Sequence, residues 1–224
     1  MGPIKETQIA GMNYHSGNYK KYISKNLLKR KMIEKFNLKL VSVIKEILDN
    51  LELRNRDAVI LDAGCGEGFI DHVLFKNFSG IEIKGLEYTE EALCIAKKMN
   101  PQAEYIQGDI CNMIYEDDSV DIAVCTEVLE HLRDPDKAVY ELLRVARKYV
   151  VITVPEEPWF CMGNIMSFKN IHRLGNPIDH INHWTYREFR EFIGSHFKGK
   201  ADFGRSFPWS IAVLSLERKY GEDI

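Results

Sequence analysis

Glu127, Glu130 and His131 stand in the run EVLEHLRDP as an E-x-x-E-H group. On a helical turn that spacing puts two carboxylates and an imidazole on one face. Such a face suits proton removal, ligation of a divalent metal, or a hydrogen-bonded cap over a ligand. Further imidazoles follow in HRLGNPIDHINHWT, at His172, His180 and His183. His131, His180 and His183 are the candidate catalytic residues, with lining of an acceptor pocket as the plainer alternative. A second constellation lies upstream in LDAGCGEG, residues 61–68. Its glycines allow a tight turn and close approach of a ligand to bare backbone, and a helix starting there offers unpaired amides. Glu87, farther on, can accept hydrogen bonds from ribose hydroxyls. A dinucleotide turn reads G-x-G-x-x-G; here Gly68 is followed by Phe69, which points to a different nucleoside cofactor.

These residues need a scaffold that gathers them. Short apolar runs recur as AVILDA (58–63), IKGLEY (83–88), AEYIQG (103–108), VDIAVCT (120–126) and KYVVITVP (148–155), with helical patterns near 67–77, 90–99 and 136–147. Strands alternating with helices at this spacing predict βαβ units and a mostly parallel sheet. Residues 24–50 read as an amphipathic helix that Ser24 could cap. Residues 156–184 are too long for an ordinary connection and leave the carboxyl end of a strand, where ligands bind. Helix is expected there around 161–170. Thr185 with Glu188 forms a capping box for a helix ending near Ser195, and 199–204 and 210–217 close the sheet. The expected fold is α/β, a Rossmann-like seven-stranded mostly parallel sheet with helices on both faces and the last strand antiparallel. We divide it into an N-terminal arm and helical cap (1–55) and a domain (56–224) with a lid insertion at about 156–184.

The 224 residues carry 30 Lys and Arg against 33 Asp and Glu, a net charge of -3. Neutralising many phosphates needs a basic surface, so nucleic acid is not the expected partner. The five cysteines are odd in number and contain no CxxC pair, which argues against a disulfide framework or thiolate zinc site and for a reducing, cytoplasmic setting. No run suits a membrane span. Peripheral membrane contact is left open, and the chain is expected to be a monomer or homodimer.

LDAGCGEG, GLEY, QGDI, VDIAVCTEVLEHL and VVITVP together resemble class I S-adenosylmethionine-dependent methyltransferases of the ubiquinone-biosynthesis-like (methyltransferase type 11) group. The resemblance implies S-adenosylmethionine as cofactor. Asp62 and the turn Gly64, Cys65 and Gly66 would hold its methionine part. Glu87 would take the ribose hydroxyls, with Tyr88 beside the adenosine. Gly108, Asp109 and Ile110 would frame the adenine, and Thr126 and Glu127 would line the sulfonium end. Tyr19, in the N-terminal arm, would meet the methionine carboxylate or the substrate. The implied acceptor is a small or lipid-like molecule. A second resemblance, through E-x-x-E-H and DHINHWT, is to metal-dependent small-RNA 2'-O-methyltransferases, in which His180 matches a metal histidine. We expect no metal; the alternative needs Glu127, Glu130, His131 and His180 to converge. A non-enzymatic binding protein on the same fold is a third reading.

Overall fold

The computed structural model describes residues 26–51, 57–166, 170–177 and 179–216. Its seven strands form one sheet in the order β3-β2-β1-β4-β5-β7-β6. The chain divides into two compact units, residues 1–110 and 111–224.

The first unit opens with helix α1, Leu27–Asn50, whose N-cap Asn26 accepts a hydrogen bond from the Lys29 amide at 3.0 Å. The cap expected at Ser24 lies outside the described residues. Phe36, Leu40 and Ile44 recur along one face and are buried, the signature of an amphipathic helix on a core. Strand β1 (Ala58–Ala63), helix α2 (Phe69–Asn77), strand β2 (Ile81–Glu87), helix α3 (Glu90–Met99) and strand β3 (Glu104–Gln107) follow. β1 pairs with β2 and β2 with β3, both parallel. The structure starts β2 two residues earlier than the sequence pattern, because Ile81 pairs with Ala58 and buries its side chain.

In the second unit, strand β4 (Val120–Thr126) is buried up to Cys125, as a strand covered on both faces must be. A 3₁₀ turn (Leu129–His131), helix α4 (Pro135–Val145) and strand β5 (Ala146–Pro155) follow. The helix stops earlier than its pattern suggested. Ala146 pairs with Val120, and Arg147 reaches the buried Asp121 at 2.7 Å, so strand pairing and an ion pair override helical periodicity. The insertion holds helix α5 (Trp159–Met166) and a 3₁₀ turn (Ile171–Arg173). Helix α6 (Tyr186–His196) starts at the expected capping box, with both hydrogen bonds made between Thr185 and Glu188. Strands β6 (Lys200–Ser206) and β7 (Trp209–Ser215) pair antiparallel, and β7 runs antiparallel to β5. The fold expected from sequence is thereby confirmed. Among the described residues, no helix is long and apolar enough to cross a membrane.

Candidate functional site

In the first unit, Gly64, Gly66 and Gly68 all take left-handed backbone conformations. Gly68 cannot be replaced without conflict. Its φ is +75°, and a Cβ would stand 2.7 Å from Asn100 Nδ2 and 2.9 Å from Tyr105 Oη. The amides of Gly64 and Cys65 donate to the Leu86 carbonyl, tying the turn to β2. The Gly66 amide donates to one carboxylate oxygen of Glu87 at 3.1 Å. The other oxygen accepts from the Thr89 amide and hydroxyl at 2.9 and 2.8 Å. The acid is therefore fixed at the end of β2, half-buried against the glycine turn. The Gly108 amide donates to the Glu87 carbonyl at 3.0 Å, which sets Gly108, exposed Asp109 and buried Ile110 at the end of β3. Tyr88 is exposed. Asp62, Gly64, Cys65, Gly66, Glu87, Tyr88, Gly108, Asp109 and Ile110 thus gather at the carboxyl ends of β1, β2 and β3, the end where open α/β sheets take ligands. Tyr19 lies outside the described residues.

Beneath the turn is a polar network that the sequence reading missed. Asp62 and Asp71 are both buried. Neither carboxylate oxygen of Asp62 meets a donor. Tyr105 Oη donates to Asp71 at 2.6 Å, while Asn100 Nδ2 donates to the Gly68 carbonyl at 2.8 Å and to Tyr105 Oη at 3.0 Å. Burial first, then Asp71, raises the Asp62 carboxyl well above its usual range; burial pushes Asp71 up to about 6. The available signal was an acid on the apolar face of α2, among Phe69, Ile70, Val73 and Leu74. A buried carboxyl with two unfilled acceptor oxygens under a glycine turn, and a second acid fixed at the next strand's end, fits a ligand bearing an ammonium and a ribose.

In the second unit, Glu127 follows β4 with a left-handed φ of 57°, its amide donating to the Thr153 carbonyl at 3.0 Å. This corrects the single helical face expected for E-x-x-E-H. The helical turn spans only Leu129–His131, and the backbone reversal at Glu127 removes that residue from it. Glu130 and His131 instead meet His180. The insertion docks by main-chain hydrogen bonds: the amides of Ile181 and Asn182 donate to the Glu130 carbonyl at 2.9 and 3.0 Å. Asn182 Nδ2 also bridges the Leu129 and Leu132 carbonyls at 2.9 and 2.6 Å. His180 is thereby buried, edge-to-face against His131 with ring centres 4.8 Å apart, and stacked on Phe160 at 5.3 Å.

His131 Nδ1 lies 2.9 Å from the Asp179 carbonyl. A carbonyl can only accept, so this nitrogen carries a proton and the neutral ring keeps its lone pair on Nε2. Nε2 is 4.0 Å from Glu130 Oε1, and Nδ1 is 3.6 Å from Asp179 Oδ2. Glu130, His131 and His180 each offer a ligand atom, all within 4.8 Å of one another; Glu127 is not in that group. His183 has a different setting. Asn176 Nδ2 approaches its Nε2 at 3.1 Å, and its Nδ1 lies 3.7 Å from Glu157. Glu157 also accepts from the Cys161 amide and thiol, and burial, then that bond, pushes the thiol up to about 12. The base of the insertion is pinned at buried Glu156, which Arg205 pairs at 3.0 Å while its guanidinium lies 3.8 Å over the Tyr186 ring. The sequence reading named neither residue.

Residues 61–152 match a family model described as a methyltransferase domain. A Mycobacterium tuberculosis protein named as a probable S-adenosylmethionine-dependent methyltransferase is 28% identical over 115 residues, 50% of this chain and 41% of its own length. The chain thus spans about two fifths of that curated relative. Among solved structures, the small RNA methyltransferase HEN1 superposes with a TM-score of 0.65 at 19% identity, over 94% of this chain and 27% of that one. Magnesium protoporphyrin IX methyltransferase from Synechocystis, with bound S-adenosylhomocysteine, gives 0.60 at 16% identity, over 85% of this chain and 87% of that one. With its glycine turn, fixed strand-end acid and sheet order, the chain resembles methyltransferase domains over residues 61–152 and shares the fold of these solved methyltransferases.

Proposed function

We propose that the chain moves a methyl group from S-adenosylmethionine to an oxygen, nitrogen or carbon of a small or lipid-like molecule. The observation that carries this reading is His131, whose Nδ1 proton is committed to the Asp179 carbonyl and whose Nε2 is left as the basic nitrogen. When bound, the cofactor supplies a methyl group already activated by its sulfonium. Asp62 and the turn at Gly64, Cys65 and Gly66 hold the methionine part, and Glu87 accepts from the ribose. Tyr88, Gly108, Asp109 and Ile110 frame the adenosine, with Thr126 and Glu127 at the methyl end. His131 takes the proton an acceptor hydroxyl or amine must lose, at Nε2. The carboxylates of Asp179 and Glu130 then stabilise the imidazolium. Where no proton leaves, His131 only orients the acceptor. His180 and His183 shape the pocket. Phe160 and the exposed apolar side chains of Trp159, Met162 and Ile165 on α5 favour an apolar acceptor. Incubating the protein with methyl-labelled cofactor and a metabolite and lipid extract, then analysing by mass spectrometry, tests this. The expected result is a labelled product that His131→Ala abolishes. Calorimetry showing no binding of S-adenosylmethionine to folded protein refutes the reading.

A second reading, a metal-dependent RNA 2'-O-methyltransferase, is favoured by the convergence of Glu130, His131 and His180 and by the likeness to a small RNA methyltransferase. Two histidines and a carboxylate suit a divalent transition metal. Ligands about 2.0–2.2 Å from zinc in a tetrahedral site stand about 3.3–3.6 Å apart, and His131 Nε2 and Glu130 Oε1 are 4.0 Å apart, so this pair needs a small inward movement. Titration with manganese or cobalt separates the readings: tight binding lost in His180→Ala, with metal-dependent methylation of RNA, supports this one, and no binding removes it.

A further inference from the structure

Asn100 closes helix α3 and is buried. Its carboxamide has one orientation. Nδ2 lies 2.8 Å from the Gly68 carbonyl, and a carbonyl only accepts, so the amide nitrogen belongs there. The second hydrogen of Nδ2 goes to Tyr105 Oη at 3.0 Å. Oδ1 then accepts from His72 Nδ1 at 3.2 Å, while Tyr105 Oη passes its own hydrogen to Asp71 at 2.6 Å. Two glycines admit this arrangement. Gly85 faces Tyr105 in the β2–β3 register, and a Cβ there would collide with the tyrosine ring. Bare backbone at Gly85 thus lets the ring lie over β2 and reach α2. Gly68 likewise leaves room for Asn100 Nδ2 and Tyr105 Oη. Gly68 also closes the glycine turn, its amide donating to the Cys65 carbonyl at 2.9 Å. The start of the turn is tied to β2 through Leu86 and Glu87. Its end is tied at the Gly68 carbonyl, which accepts from the His72 amide at 3.0 Å and from Asn100. The first of these two bonds is internal to α2. The second reaches the turn from another element and fixes where its end stands.

We infer that Asn100, oriented by Tyr105, is a positioning residue for the amino-acid end of S-adenosylmethionine and makes the site select ligands that carry that end. The inference rests on the cofactor assigned under the proposed function. There the turn at Gly64, Cys65 and Gly66 takes the methionine part, and Asn100 acts on it through Gly68. The residues assigned to the nucleoside are held by other bonds: the Glu87 carboxylate by Thr89, and Gly108 by the Glu87 carbonyl. Loosening the Gly68 end therefore misplaces the seat of the amino acid and leaves the seat of the nucleoside in register.

Calorimetry on the full chain with two probes tests this. S-adenosylhomocysteine carries the amino-acid end; 5'-methylthioadenosine lacks it and is measured by competition against the first. Asn100→Ala should weaken S-adenosylhomocysteine by about tenfold, the worth of one or two neutral hydrogen bonds, and leave 5'-methylthioadenosine within about twofold. The ratio of the two affinities is the readout. A substitution that only lowers the folded fraction reduces both apparent affinities by the same factor, so the ratio does not move. Tyr105→Phe keeps the ring over Gly85 but removes the partner of the second amide hydrogen. It should shift the ratio in the same direction by about threefold, and it carries the test if Asn100→Ala does not fold. An unchanged ratio in Asn100→Ala, or in Tyr105→Phe where Asn100→Ala does not fold, overturns the inference and leaves the proposed function standing. No binding of S-adenosylhomocysteine to the natural chain overturns the proposed function, and the inference with it.

Discussion

Asn182→Ala isolates the contact that brings His180 to His131. The asparagine side chain spans two carbonyls, Leu129 and Leu132, at 2.9 and 2.6 Å. Alanine keeps the backbone amide bond to Glu130 but loses both of these. At about 0.5–1.5 kcal/mol each, the loss is about 1–3 kcal/mol. It falls on docking of the insertion, not on the sheet, because the sheet's hydrogen bonds are untouched. A change of that size weakens the docked arrangement by about 5- to 150-fold. Methyl transfer should drop, by at most about 150-fold, while cofactor affinity stays within about twofold, since the residues assigned to the cofactor keep their contacts. Hydrogen exchange followed by mass spectrometry should show faster exchange at the backbone amides of positions 181 and 182, which bond the Glu130 carbonyl in the natural chain, with strands β4 and β5 unchanged. Faster exchange with undiminished transfer would refute the reasoning, because the approach of His180 to His131 would then be irrelevant to the chemistry.

Other perturbations follow from the same geometry. Asp71 rises from 3.8 to about 6 in the folded chain, so its contribution to stability is whole below the unfolded value and is lost as pH climbs through the folded one. The loss is up to about 3 kcal/mol. Asp71→Asn, which can still accept from Tyr105, should flatten that slope in urea melts between about pH 4 and 7.5. Gly68→Ala adds left-handed strain to a clash with Asn100 and Tyr105 and should destabilise by about 2–4 kcal/mol, seen as a lower melting temperature. His131→Asn should lower kcat by about 10²- to 10⁴-fold if it removes a general base, with cofactor affinity retained in calorimetry. His183→Gln should cost much less, under about tenfold, because both ring nitrogens of His183 are turned to Asn176 and Glu157; an equal loss in kinetic assays would show that it handles the proton.

What the sequence made legible was what local chemistry and periodicity determine. The glycine turn can be read because three positive φ angles demand glycine. The start of α6 can be read because Thr185 and Glu188 complete each other within one turn. Boundaries set by partners were not legible: the switch at Ala146 depends on Val120 and Asp121, far away in the chain. The meeting of His180 with His131 was foreseen only as a condition of the metal alternative. It is made by Asn182 and two amides binding main-chain carbonyls, which every residue possesses, so no pattern of side chains announces it. Asp71 was missed for the opposite reason. Its identity was visible, but its meaning requires the neighbours Asp62, Tyr105 and Asn100, contributed by separate elements.

Glu127 carries one more consequence. Its φ of 57° is a shape in which glycine would rest and glutamate is strained. A library of variants sorted for thermal endurance alone should therefore enrich glycine at 127, and the winners would be sturdier proteins without the carboxylate. Design methods that reward only a comfortable backbone would make the same exchange. Persistence of an acid in an uncomfortable turn is thus a usable marker when choosing which positions to leave alone in engineering this chain.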